Sequence, residues 1–272
     1  MVQQAEQTNR SAGGILRYWR ESRRLSQLEL STRAGISTRH LSFVETGRSR
    51  PSRDMVLHLA EQLDIPLRAR NQLLLAAGYA PQFPETPPDS PALAAVRTTV
   101  RQVLVAQEPF PAFAVDGAWN MLDSNDSVRI FTEGIDKDLL RPPVNVLRAS
   151  LHPRGLAPRI INLPQWRWHV LTRLYRQAAM QGDPMLAALH EELRSYPGSE
   201  QMPDASSEEQ STGIAVRLRL RHHDRQLCFL STATVFGTPL DVTVAELTVE
   251  TFLPADPYTS EVLRPWRPVA QH

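Results

Sequence analysis

The sequence predicts an all-α domain of five short helices followed by an α+β domain built on a five-stranded antiparallel sheet. Three observations carry that prediction. Five helical patterns follow one another before residue 80 with no strand among them, a proline-rich break falls at 81–91, and beyond it come two strand candidates, a helical middle and three more strand candidates. At roughly 150 residues per domain, a chain of 272 residues accommodates both. The expected organisation is a domain at 12–80, a linker at 81–91 and a second domain at 92–265.

The five helical patterns run over 14–24, 27–34, 38–46, 53–63 and 67–77. Ser26, Ser37 and Ser52 each stand just before an apolar-periodic run, where a hydroxyl accepts from N–H groups that the first helical turn leaves unpaired. Glu29 completes a Ser-x-x-Glu capping box with Ser26. The segment 81–91 reads PQFPETPPDSP; its five prolines cannot supply helical or ladder hydrogen bonds, so it reads as a linker. A helix at 93–106 follows, then strands at 111–115 and 118–122 flanking Asp116-Gly117, a two-residue hairpin signal that tolerates positive φ. From 125 to about 196 the pattern is helical with proline interruptions. Its strongest piece, 165–180, is closed by Gly182 and followed by Asp183-Pro184, a cap and first-turn proline for the next helix. The polar stretch 197–212 reads as a loop, and 214–221, 226–236 and 242–252 are the last three strands.

Composition narrows the function. Hydrophobic residues make up 42% and charged residues 22%, as in an ordinary folded domain. The single cysteine, Cys228, can neither close an intrachain disulfide nor build a multi-thiolate metal site, which suits a reducing, cytoplasmic setting. No apolar run approaches the ~20 residues of a membrane span. The one lysine, Lys137, follows no glycine-rich loop, which removes nucleotide hydrolases, protein kinases and most Schiff-base enzymes. His190-Glu191-Glu192 lacks the second histidine of a zinc protease, His222-His223 has no cysteine nearby, and there is no G-x-S-x-G elbow, so neither catalysis nor a metal is expected. Charge is unevenly divided: residues 1–80 carry twelve arginines against seven acids, or +5, and the remainder carries −4. A basic front on an acidic back directs nucleic acid to the front.

Within 26–47, SQLELSTRAGISTRHLSFVETG, two capped helices are joined by a turn at Gly35 and closed by Gly47. On the second, Leu41 and Val44 fall on the inward side, Arg39, Ser42 and Phe43 on the outward side, and Thr38 in the first turn. The segment resembles the helix-turn-helix of the xenobiotic-response-element and phage-repressor (Cro/C1-type) family over residues 12–78, with Gln27 and Glu45-x-Gly47 adding to the likeness. The resemblance implies that the outward face enters the major groove, where Arg39 pairs with guanine and Thr38 or Phe43 meets a thymine methyl. It also implies a phosphate contact at Gln27, and an internal ion pair between Arg20 and Glu45. The candidate DNA contacts are Gln27, Thr38, Arg39, His40, Ser42, Phe43, Arg48, Arg50 and Arg53, the last three as backbone-positioning groups. Phe43 has the alternative of packing on its own domain, and Arg48 and Arg50 that of solvated loop charges.

Farther on, the WN after the hairpin turn, NVLR, LHPRG, NLPQWRWH and TFLPADPYTSEVLR resemble the ligand-binding domain of MmyB-like transcription regulators, and with the front half the likeness covers most of 12–265. It implies a PAS-like five-stranded sheet with helices on one face and a pocket between. Trp166, His169, Val170, Arg173 and Gln177 share one helical face by spacing. An apolar face with one His and one Arg suits an apolar molecule with an acidic end, and the resemblance points to a fatty acid or similar amphiphile. The alternative is an ordinary core edge where His169 and Arg173 meet protein carboxylates. Phe113, Trp119, Asn120, Asn125, Phe131, Asn145, Leu147 and His152 are further pocket candidates, each with core or loop structure as its alternative. Arg217, Arg219 and Arg221 read as a solvated outer strand face protected against edge pairing. The expected protein is a homodimeric regulator that binds a two-fold operator and a small effector. The competing reading makes the second domain a dimerisation or protein-docking module only.

Overall fold

The computed structural model describes residues 11–198 and 216–264, so the predicted loop from 199 onward and the first two residues of the 214–221 alternation lie outside the described residues. The chain divides into two compact units, the first made mainly of residues up to Glu85 and the second mainly of those from Thr86.

The first unit contains α1 (Ala12–Ser22), α2 (Gln27–Arg33), α3 (Thr38–Glu45), α4 (Arg53–Gln62) and α5 (Leu67–Ala76). The caps form as expected. Ser26 and Glu29 make the reciprocal capping box, Ser37 accepts from His40 N, and Ser52 accepts from Met55 N. Leu16, Trp19, Leu30, Leu41, Val44, Leu59, Leu73 and Leu74 bury their side chains in a common core, each contributing about 1.5–3 kcal/mol. Gly13 permits α1 to lie close on α3: a Cβ there would sit 2.4 Å from the Val44 carbonyl oxygen. Gly35 and Gly47 take φ values of +64° and +73° at the two helix ends, a region that favours glycine. The start of the proline-rich segment is tied down, because Asn71 on α5 donates to Phe83 O at 2.7 Å and accepts from Gln82 N and Phe83 N at 3.0 Å.

The second unit runs α6 (Ala94–Ala106), β1 (Ala112–Val115), β2 (Met121–Ser124), α7 (Arg129–Thr132), α8 (Val146–Leu151), α9 (Leu163–Gln181), α10 (Pro184–Arg194), β3 (Arg217–His222), β4 (Arg225–Val235), α11 (Val242–Glu246), β5 (Thr248–Pro254) and α12 (Pro257–Leu263). The sheet has the order β2-β1-β5-β4-β3 with every neighbouring pair antiparallel. Alternation along each strand sends Phe113, Val115, Leu218, Leu220, Leu227, Phe229 and Phe252 into one large core with Trp166, Val170 and Leu174 of α9. Ala112, Ala114 and Val249 point the other way and meet Val100 and Leu104 of α6. Helices therefore cover both faces, whereas the resemblance implied one.

Two local expectations are corrected. Asp116 N donates to Asn120 O at 3.0 Å, and Asp116 Oδ1 accepts from Ala118 N and Asn120 N, so the hairpin loop has three residues. Its left-handed residue is Trp119, φ 66°, rather than Asp116 or Gly117, and β2 starts at Met121 instead of 118. A three-residue hairpin loop ends in such an αL residue. The run 242–252 was expected as one strand; its first half winds into α11, and only the part from Thr248 joins the sheet.

β3 lies at one end of the sheet and is flanked by non-strand chain. Ile161 N donates to Arg219 O at 2.8 Å, Asn162 Oδ1 accepts from Arg219 N, Asn162 Nδ2 donates to Arg217 O, and Arg159 Nε donates to Arg221 O. Arg217 and Arg221 are exposed and Arg219 is half-buried, as an outer face requires.

Candidate nucleic-acid interface and effector cavity

In the first unit α2 and α3 form a helix-turn-helix around Gly35. Leu41 and Val44 are fully buried, while Arg39 is exposed and Ser42, Phe43 and His40 are half-exposed on the remaining surface of α3. Two guanidiniums approach the Phe43 ring, Arg39 at 5.4 Å and Arg48 at 6.0 Å, near the ~6 Å limit of a cation–π contact. The arrangement gives α3 a positively charged, aromatic outer surface. Arg53, at the start of α4, is exposed.

Three predicted contacts have partners inside the unit. Gln27 Nε2 donates to Glu45 Oε2 at 2.8 Å, which fixes the amide. The Thr38 hydroxyl is within 2.9 Å of Ser31 Oγ and links α3 to α2. Arg50 donates to Ala77 O at 3.1 Å and covers the Tyr79 ring at 5.5 Å. Arg50 is thereby a clamp on the end of α5, so Arg50→Ala is expected to cost about 1 kcal/mol of stability, read as a lower urea midpoint.

Arg20 and Glu45 form the ion pair the resemblance implied. Arg20 Nε donates to Glu45 Oε1 at 2.6 Å and Nη2 to Oε2 at 3.0 Å, with Nη1 on Leu25 O at 2.8 Å. The Glu45 side chain is 1% exposed. The carboxylate holds Arg20 above its ordinary pKa, through the hydrogen bond first and its charge second, against burial.

In the second unit a cavity of about 860 Å³, counted out to its open mouth, lies between the sheet and α7, α8 and α9. Of the predicted pocket residues, Phe113, Trp119, Phe131, Leu147, Trp166, His169 and Arg173 line it. Phe252 is central: its ring lies 4.8 Å from Phe131, 5.6 Å from Phe113 and 6.4 Å from Trp166. Four others do not line it. Asn120 bonds Asp116 through backbone and amide, Asn125 is buried and bonds Ala112 N, Leu104 O and Phe110 O, Asn145 caps α8 and donates to Ala118 O, and His152 accepts from Arg154 N. Each has its hydrogen bonds satisfied by the chain, which is what a short polar side chain at a turn or cap supplies.

The polar end of the cavity differs from the sequence expectation. Arg173 is ion-paired with Glu250 of β5, whose side chain is 4% exposed. Its guanidinium also lies 4.7 Å over the Trp119 ring, and Trp119 Nε1 donates to Gln177 at 2.7 Å. The alternative in which Arg173 meets a protein carboxylate is the one realised. His169 tilts over Trp166 at 5.6 Å. Burial, reinforced by the charge of Arg173, pushes its imidazole below the ordinary range, which favours the neutral form. Glu250 and Ser231 are cavity residues that sequence reasoning missed. In the 242–252 run Glu246 and Glu250 share one period-two register, so spacing did not single out Glu250.

Glu133, distant in sequence, stands beside His222 and His223, with ligand atoms of all three within 4.8 Å of one another. Histidine spacing alone could not show this. The Arg159 guanidinium lies 3.4 Å from His222 Nδ1, a positive charge beside one of the three groups.

A helix-turn-helix unit with a charged recognition face, joined to a unit built around an apolar cavity, defines a DNA-binding transcription regulator with a ligand-binding domain. Residues 96–265 match the MmyB-like transcription regulator ligand binding domain and residues 16–69 match the helix-turn-helix family. The chain belongs to the MmyB-like transcription regulators. No curated protein matches it. Among solved structures, an RNA-binding light-oxygen-voltage receptor aligns over 98% of this chain and 64% of its own, with 12% identity and a TM-score of 0.25, too slight a likeness to carry an argument. This chain thus spans less than two thirds of that protein. Among the described residues no helix is long and apolar enough to cross a membrane.

Proposed function

We propose that the chain regulates transcription as a homodimer on a two-fold symmetric operator, and that an apolar or amphiphilic small molecule in the cavity changes its affinity for that operator. The supporting observation is the cavity itself: its wall is made almost wholly of aromatic and aliphatic side chains, with a few convergent polar groups at one end, the pattern of a small-molecule site. An effector acts by binding one conformational population better than another. Fluorescence anisotropy with operator DNA tests the reading. Saturating effector is expected to shift the dissociation constant several-fold, and an unchanged constant refutes sensing.

On the DNA side Arg39→Ala is expected to cost about 1–3 kcal/mol and to relax preference at one base position. Competition titrations with single-base operator variants check this. Equal loss on specific and random DNA would make Arg39 a phosphate contact.

A further inference from the structure

We infer that the cavity's occupant carries a neutral, hydroxyl-bearing head group and not a free carboxylate. The inference rests on the cavity being the effector site. Among the described residues its titratable lining groups are three: Arg173 and His169 from α9 and Glu250 from β5. Arg173 and Glu250 already neutralise each other across the two elements, and burial beside Arg173 disfavours the charged form of His169. A carboxylate entering beside Glu250 would put two anions in one low-polarity site, where they cannot both stay ionised at neutral pH without a large penalty. Arg173 carries one positive charge, already paired with Glu250, and so cannot neutralise a second carboxylate.

A hydroxyl meets the opposite situation. Arg173 bonds Glu250 through Oε1, which leaves Oε2 to accept from an incoming O–H. The hydroxyl oxygen can in turn accept from Arg173 or from the His169 ring. Ser231 lies on the same sheet face as Glu250, on the neighbouring strand and diagonal to it through the Thr232↔Thr251 pair, and adds another hydroxyl to that end of the cavity. The apolar remainder of the wall takes the hydrocarbon part.

Calorimetric titration of the full chain with decanol and with decanoate tests this. Near pH 8 decanol is expected to bind at least tenfold more tightly than decanoate. Between pH 8 and 6, above the ordinary carboxyl range, the decanoate association constant should rise close to tenfold per unit of acidification, because the acid enters with its proton. That for decanol should change less than threefold. Glu250→Gln, which keeps the shape and a partner for Arg173, should raise decanoate affinity near pH 8 at least tenfold. If that variant does not fold, the wild-type pH profile decides. Decanoate binding as tightly as decanol with a flat profile would overturn the head-group assignment and leave the cavity reading standing. Binding of neither molecule would overturn the cavity reading and this inference with it.

Discussion

Glu45→Ala is expected to destabilise the helix-turn-helix unit by about 3–5 kcal/mol, a large part of the ~5–15 kcal/mol that holds a typical domain folded. Glu45 receives two hydrogen bonds from Arg20 and one from Gln27, and its side chain is 1% exposed. Removing the carboxylate leaves a guanidinium that is itself nearly buried, held by Leu25 O on Nη1 and by the half-exposed Glu21 carboxylate 3.5 Å from Nη2. The loss is therefore dominated by a buried charge deprived of its main partner and not by the net strength of the pair. The double replacement Arg20→Met with Glu45→Leu should recover much of it, because buried ion pairs exchanged for apolar groups of similar size are often close to neutral. Hydrogen-exchange protection of amides in α1 to α3, followed through a urea titration, measures both. Single and double variants of equal cost would show that the side chains, and not the stranded charge, set the penalty.

Phe252→Ala is the second large effect, with an expected loss of about 3–5 kcal/mol. Phe252 stands on β5 at the floor of the cavity and is 6% exposed. Its ring meets Phe131 edge-on, 70° between planes, and lies within 5.6 Å of Phe113; each such aromatic pair adds about 0.5–1.5 kcal/mol beyond burial. The surrounding rings belong to β1, α7 and α9 and cannot collapse together into the vacated space, so the cavity term is retained. Thermal unfolding of the variant checks this, with Phe252→Leu expected to lose less than half as much. A loss under about 1 kcal/mol would mean that the neighbouring rings close the gap.

The first unit was largely legible because its determinants are local. A serine and the residue three positions on settle each cap, and a three-to-four spacing settles which side of α3 is buried, so Ser26, Ser37, Ser52, Leu41 and Val44 could all be placed from the sequence. The second unit was legible in its elements and less so in its partners. Five strands could be counted, yet the Val-Thr-Val of α11 reads as strand because β-branched residues favour extended chain, and the short helix it forms is decided by tertiary context. The same limit applies to the cavity. Spacing put Trp166, His169, Val170 and Arg173 on one face of α9, where they all line the cavity, but it cannot say which residue 77 positions away meets Arg173. The asparagines show the converse. Asn120, Asn125 and Asn145 stand in the pattern as potential ligand contacts, but the Asn120 amide holds the Asp116 carboxylate, and those of Asn125 and Asn145 hold backbone carbonyls of the chain itself.

The flank of β3 has a consequence for assembly. An end strand ordinarily offers a row of vacant N–H and C=O groups to any extended chain that drifts by. Here Ile161, Asn162 and Arg159 occupy the carbonyls of Arg217, Arg219 and Arg221 and the N–H of Arg219, with one asparagine amide imitating a strand's donor and acceptor. Strand-by-strand growth from that side, whether a sheet continued across two copies or the seed of a fibril, would first have to pull this segment away. On that side, self-association of the second unit is left to side-chain surfaces.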